Sequence, residues 1–155
     1  MTDLYKSLAA PFPPIEISWR VGSTNAEKSK GLALAYLDAR SVMHRLDDAI
    51  GPQHWQCRYP FAGCCEIGLF VDPLGWIWKA NGAGVTEVEA EKGQFSDAFK
   101  RAAVLWGIGR YLYDLPPPWV PIVPAGKSYR IADEALTDLT QRLAAWQAKR
   151  FGESK

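Results

Sequence analysis

The hydrophobic pattern of this chain predicts an α+β fold: a β-α-β-β-β-α core whose antiparallel three-stranded meander packs on a long helix, followed by a C-terminal helix. Three observations carry that prediction. Between Trp55 and Ala80 apolar residues alternate in three short runs separated by proline and glycine turns. Over residues 96–115 apolar residues recur at helical spacing, with Lys100 and Arg101 side by side and no further charge until Arg110. Near the C-terminus Leu136, Leu139, Leu143 and Trp146 step by three and four residues.

Taken in order, a proline-broken start leads into "IEISWRV", where Ile15, Ile17, Trp19 and Val21 alternate with Glu16, Ser18 and Arg20 and predict a half-buried strand. "GSTNAEKSKG" is polar and bounded by glycine, and predicts a flexible loop. Leu34, Leu37, Val42, Leu46 and Ile50 recur at near-helical spacing and predict a helix over residues 32–50, stopped by Gly51 and Pro52. The meander follows, with Trp55, Cys57 and Tyr59, then Cys65, Ile67, Leu69 and Val71, then Trp76, Trp78 and Ala80 each on one strand face. "PFAG" and "DPLG" supply the tight turns. An acidic stretch over residues 88–92 leads into the long helix, "PPPWVP" breaks it with an extended segment, and residues 131–150 form the last helix.

From Ala102 to Gly109 the predicted long helix is apolar on every side, which requires burial either at the centre of the domain or under a second chain. Gly107 and Gly109 inside it point to close approach of another backbone. Trp76 and Trp78 share one strand face and are read as core or subunit interface.

The chain has 155 residues, 48% hydrophobic and 23% charged, which fits one globular domain with its own core. The start "MTDLYKSLAAPFPP" holds no apolar run long enough for a secretory signal or a membrane span, so a cytoplasmic protein with no membrane partner is expected. Cys57, Cys64 and Cys65 are odd in number with no histidine at finger-like spacing, so buried free thiols are expected. The net charge is only +1, yet residues 98–130 hold Lys100, Arg101, Arg110, Lys127 and Arg130 against Asp114 alone. Such a distribution offers a basic stripe to nucleic acid in a near-neutral chain.

Catalytic chemistry finds little support. His44 and His54 have no nucleophile beside them in sequence, and no glycine-rich phosphate loop of the GxxxxGK[ST] kind occurs. Glu87, Glu89 and Glu91 with Lys92 resemble the carboxylate and lysine set of a metal-dependent nuclease, but alternating acids before a helix also suit a solvated edge and the helix N-terminus. The chain is therefore read as a non-enzymatic binding protein with no cofactor and no metal. A monomeric double-stranded RNA-binding module, also built α-β-β-β-α with a basic turn opening its last helix, is the alternative.

"SWRVGSTN", "KGLALAYLDAR", the meander and "GQFSDAFKRAAVLWGIGRYLY" together resemble the DNA-binding core of the Rad52 family, above all its compact phage and bacterial single-strand annealing members, over residues 4–115. The resemblance implies an ATP-independent single-stranded DNA-binding and annealing protein of homologous recombination and repair, assembled as a homo-oligomeric ring. It implies a binding and oligomerisation core over residues 1–125 and a C-terminal helical extension over 126–155, with a single-strand-binding protein or an exonuclease as further partners. Lys100 and Arg101 match the family's basic pair, Arg20 an arginine in the strand before the loop, and Tyr36 an aromatic near the start of the next helix. Lys28 and Lys30 are weaker candidates for backbone contacts. Val104 departs from the pattern, standing where the family often has a third basic residue.

Overall fold

The computed structural model describes residues 3–82 and 91–152. The described residues form a mixed α+β structure with four α-helices and two antiparallel sheets. The chain divides into two compact units, Met1–Ala10 with Asp38–Tyr111, and Pro11–Leu37 with Leu112–Lys155.

The first unit contains helices α1 (Asp3–Ala9) and α2 (Ala39–Ile50), strands β3 (Trp55–Arg58), β4 (Cys64–Val71) and β5 (Gly75–Gly82), and helix α3 (Glu91–Leu105). Asp38 starts α2 by accepting the backbone N–H of Ser41 at 2.8 Å, and Gly51, at φ 89°, ends it. Arg45 of α2 donates to the carbonyls of Ser7, Leu8 and Ala10, satisfying the acceptors left open at the end of α1. The predicted meander is present in the order β3-β4-β5, with Trp55 opposite Leu69 and Gly68 opposite Trp78. α3 lies against β4 and β5. Cys65, Ile67 and Leu69 on the sheet and Ala98, Phe99, Ala102 and Ala103 on the helix are all buried.

The long helix is shorter at its C-terminus than its apolar run suggests. Trp106 to Gly109 form turns, with Gly107 at φ 93° and Gly109 at φ 71°, and a 3-10 turn occupies Arg110–Asp114. Those positive angles, rather than mid-helix packing, explain both glycines. A Cβ on Gly107 would also stand 3.2 Å from that of Ala9, so what approaches this glycine is side chains of α1 and not the expected backbone. The uncharged run is buried or half-buried by its own chain.

The second unit holds β1 (Ser18–Thr24), β2 (Lys30–Tyr36), β6 (Trp119–Ala125), β7 (Ser128–Ile131) and helix α4 (Asp133–Phe151), with strand order β1-β2-β6-β7. Ala33, Val120, Ile131, Ala135 and Leu139 form its core, with Trp19 and Val21 packed against them. This unit corrects the expectation of a helix over residues 32–50. Its first part is strand β2, paired with β1 on one side and β6 on the other, and the helix begins only at Ala39. Leu-Ala-Leu-Ala satisfies a period of two as readily as one of 3.6. Two further boundaries move. β1 begins at Ser18, while Ile15, expected inward, is 83% exposed in a 3-10 turn. The segment expected to be a flexible loop is largely the β1–β2 hairpin.

Candidate nucleic-acid interface

The basic pair sits midway along α3. Lys100 is half-buried and Arg101, 100° further round the helix, is exposed. Arg101 Nε donates to Asp97 Oδ2 at 3.2 Å, and its backbone carbonyl accepts from Asn81 Nδ2 on β5 at 3.4 Å. The helix thus presents Arg101 with a carboxylate one turn behind it.

Val104 and Arg110 have different work. Arg110 donates from Nε and Nη2 to the carbonyl of Val104 at 2.9 and 2.7 Å and from Nη2 to that of Leu105 at 2.9 Å. Its Nη1 reaches Tyr5 Oη at 3.2 Å. Lys79 Nζ adds a bond to the Leu105 carbonyl at 3.2 Å and lies 4.5 Å from the centre of the Trp106 ring. Two cations therefore meet the partial negative charge where α3 ends. Arg110, read from periodicity as another face of the same helix, lies beyond that end and caps it.

The other four candidates belong to the second unit. Arg20 is exposed on β1 opposite Leu34, flanked by Trp19 and Val21, which point to the core. Tyr36 does not begin the helix; it is the last residue of β2, opposite Ser18 and half-buried. Lys30 opens β2 opposite Pro121. Since paired residues share a sheet face and alternate residues repeat it, Arg20, Lys30 and Tyr36 lie on one face, opposite to that of Ala33. Lys28 stands in the hairpin turn at φ 55°, its Nζ bonded to Thr24 Oγ1 at 2.9 Å. Asn25 holds that turn, its Oδ1 accepting the N–H groups of Ser29 at 2.9 Å and Lys30 at 3.0 Å. Pairing of Leu32 with Trp119 adds to the same face an indole that is 51% exposed, which sequence reasoning treated only as part of a proline-rich break.

Structure brings together three of the six predicted residues on this sheet face, and places Lys100 and Arg101 in the other unit. The carboxylates Glu87 and Glu89, and the side chains of Glu91 and Lys92, lie outside the described residues. Among the described residues no group of three His, Cys, Asp or Glu is placed to hold a metal ion, and no helix is long and apolar enough to cross a membrane. His54 Nδ1 is 2.9 Å from the Ile50 carbonyl. Cys64 and Cys65 are buried as expected, but Cys57 is exposed because β3 is an edge strand. Trp76 and Trp78 stack at 6.1 Å on the sheet face that carries Gly68, away from Ile67 and Leu69.

Comparison with known proteins places these features. Residues 1–68 and 66–123 match the family described as Rad52/22 family double-strand break repair protein. The chain is 41% identical over 123 residues to the single-stranded DNA-binding protein DdrA of Deinococcus radiodurans, covering 77% of this chain and 59% of that protein. It is 39% identical over 124 residues to the single-stranded DNA-binding protein DdrA of Deinococcus deserti, covering 77% and 61%. The matched segment thus spans about three fifths of the length of these relatives. No solved structure gives a significant match.

Proposed function

Because the chain belongs to the Rad52/22 family of double-strand break repair proteins, we propose that it binds single-stranded DNA and anneals complementary strands in recombination and repair. The observation that carries this reading is the exposed guanidinium of Arg101 beside Lys100 on α3, in a chain similar to proteins named for single-stranded DNA binding. Lys100 and Arg101 hold phosphates. Arg20, Lys28 and Lys30 add cations and Tyr36 a ring, with residues 1–125 as the binding and oligomerisation core and 126–155 as an extension that completes the second unit.

The chemistry is non-covalent. Cations neutralise phosphates, releasing condensed counterions and lowering the repulsion between two strands, while the bases stay free to test complementarity by pairing. Arg101 exchanges Asp97 for a phosphate oxygen, a carboxylate for a better-matched anion, at little cost because an exposed ion pair contributes about 0–1 kcal/mol. No nucleotide hydrolysis is needed, since pairing itself drives the reaction. The working form is a homo-oligomeric ring around which the strand runs, acting in the cytoplasm beside a single-strand-binding protein or an exonuclease. The ring rests on family likeness alone, because the apolar run of α3 is covered within its own chain.

The test replaces Lys100 and Arg101 together by alanine. Binding to oligonucleotides of unrelated sequence should weaken equally, and the slope of log affinity against log salt should fall by roughly 0.7 for each phosphate of a single strand that the protein no longer neutralises. Light scattering should show an unchanged assembly many times 17.2 kDa. Annealing by the parent should proceed with chelator and without nucleotide. A double variant that binds as the parent does at every salt concentration overturns the assignment to α3, and a preference for double-stranded RNA overturns the function.

A further inference from the structure

Strands β3 and β4 bring two cysteines of opposite accessibility together. Cys57, on the four-residue edge strand β3, is exposed, whereas Cys65 on β4 has no exposed surface. Cys57 pairs with Ile67, so Cys65 is its diagonal neighbour on the same sheet face. The Tyr59 side chain stands by the pair, the three groups shifting one another's titration, and the Cys65 thiol donates to the Glu66 carbonyl at 3.8 Å. Cys64, next in sequence to Cys65, points to the opposite face, as strand alternation demands.

We propose that Cys57 and Cys65 are a peroxide-oxidisable pair, in which the exposed Cys57 is attacked first and the buried Cys65 then closes a disulfide between β3 and β4. In the first step the Cys57 sulfur takes one peroxide oxygen. An S–O bond forms, the O–O bond breaks, and the departing hydroxide leaves as water after taking a proton, giving a sulfenic acid. In the second step the Cys65 sulfur attacks that of Cys57. The S–S bond forms, the S–O bond breaks, and the hydroxyl leaves as water with the Cys65 proton. Two thiols are oxidised and one peroxide is reduced to two waters.

The division of roles follows from position. The reagent reaches only Cys57, and the neighbouring Cys65 thiol lowers the Cys57 thiol to about 7, while the Cys57 thiol and burial push Cys65 up. Diagonal neighbours start with Cα atoms about 7–8 Å apart, slightly wide for a disulfide. Closure requires Cys57 to move inward, and β3 allows it: the strand is paired on one side only and ends at Arg58, one residue later. This inference is independent of the DNA-binding reading.

The experiment treats the reduced full-length protein with hydrogen peroxide and follows intact mass, peptide mapping and mobility on a non-reducing gel. The expected product is about 2 Da lighter, links the Cys57 and Cys65 peptides and runs as a single chain. Cys64→Ala should behave as the parent. Cys65→Ala should stop at a Cys57 sulfenic acid that dimedone captures. Should that variant not fold, early dimedone addition to the parent should capture the same adduct on Cys57. At pH 7 Cys57 should react roughly threefold faster in the folded than in the urea-unfolded chain, the gain in thiolate being partly offset by its lower nucleophilicity. A link to Cys64, a link between chains, or a Cys57 that reacts no faster when folded overturns the proposal.

Discussion

Arg101 Nε lies 3.2 Å from Oδ2 of Asp97, one helical turn earlier on α3, so the exposed member of the basic pair carries its own counterion. A phosphate arriving at Arg101 must displace that carboxylate. The pair is a solvent-exposed i,i+4 ion pair, with the two side chains 52% and 33% accessible, so it costs little to break and little to remove.

Asp97→Asn therefore tests whether Arg101 meets DNA. The variant should bind single-stranded oligonucleotides about two- to fivefold more tightly at low salt, the range set by an exposed ion pair, with the gain shrinking as salt rises. Fluorescence anisotropy across a salt series reads it. Unchanged affinity at all salt concentrations would separate Arg101 from the strand.

Arg110→Ala should act on folding before it acts on DNA. The side chain closes the C-terminal end of α3 through the Val104 and Leu105 carbonyls and reaches Tyr5 of α1. Its loss should cost roughly 1–2 kcal/mol, as for a well-placed cation at a helix C-terminus, seen in denaturant midpoints. Affinity per folded molecule should fall less than for Arg101→Ala.

Asp38→Ala should lower stability at neutral pH by about 1 kcal/mol, the usual value of an N-cap. The hydrogen bond from the Ser41 backbone N–H holds the Asp38 carboxyl below its ordinary value of 3.8. A depressed carboxylate stabilises the fold above that ordinary value and loses the contribution as pH falls through its value in the folded state. The difference between parent and variant should accordingly close in acid, below about pH 4. Urea titrations at several pH values measure it.

Gly68→Ala should disturb the outer face of the β3-β4-β5 sheet. The indole of Trp78 lies flat over Gly68, and a Cβ built there would stand 2.8 Å from its ring atoms. Trp78 also carries the Arg58 guanidinium 3.9 Å from a ring centre. Displacing the ring should destabilise by roughly 1–3 kcal/mol and shift tryptophan emission to the red.

The sequence by itself determined the α+β class, the β3-β4-β5 meander, α4 and the basic pair. Each is a local signal: alternation between proline and glycine turns, a three-four step of leucines, and two adjacent cations in an uncharged stretch. Family membership was equally legible, because ordered motifs spread along most of the chain are read without coordinates. Tertiary structure alone decided where local signals were ambiguous or silent. Leu32 to Tyr36 became a strand because β1 pairs with Ala33 to Tyr36, while residues 119–121, nearly ninety positions away, pair with the start of β2 from Lys30 to Leu32, and no local period encodes either partner. Trp119 joined the face of Arg20 and Tyr36 through the same pairing. Arg110 became a cap once positive φ at Gly107 and Gly109 had turned the chain back on the end of α3. Cys57 meets Cys65 only after the sheet has formed. A side chain's charge is written in the sequence; which group stands within hydrogen-bond reach of it is settled by backbone pairing between distant segments.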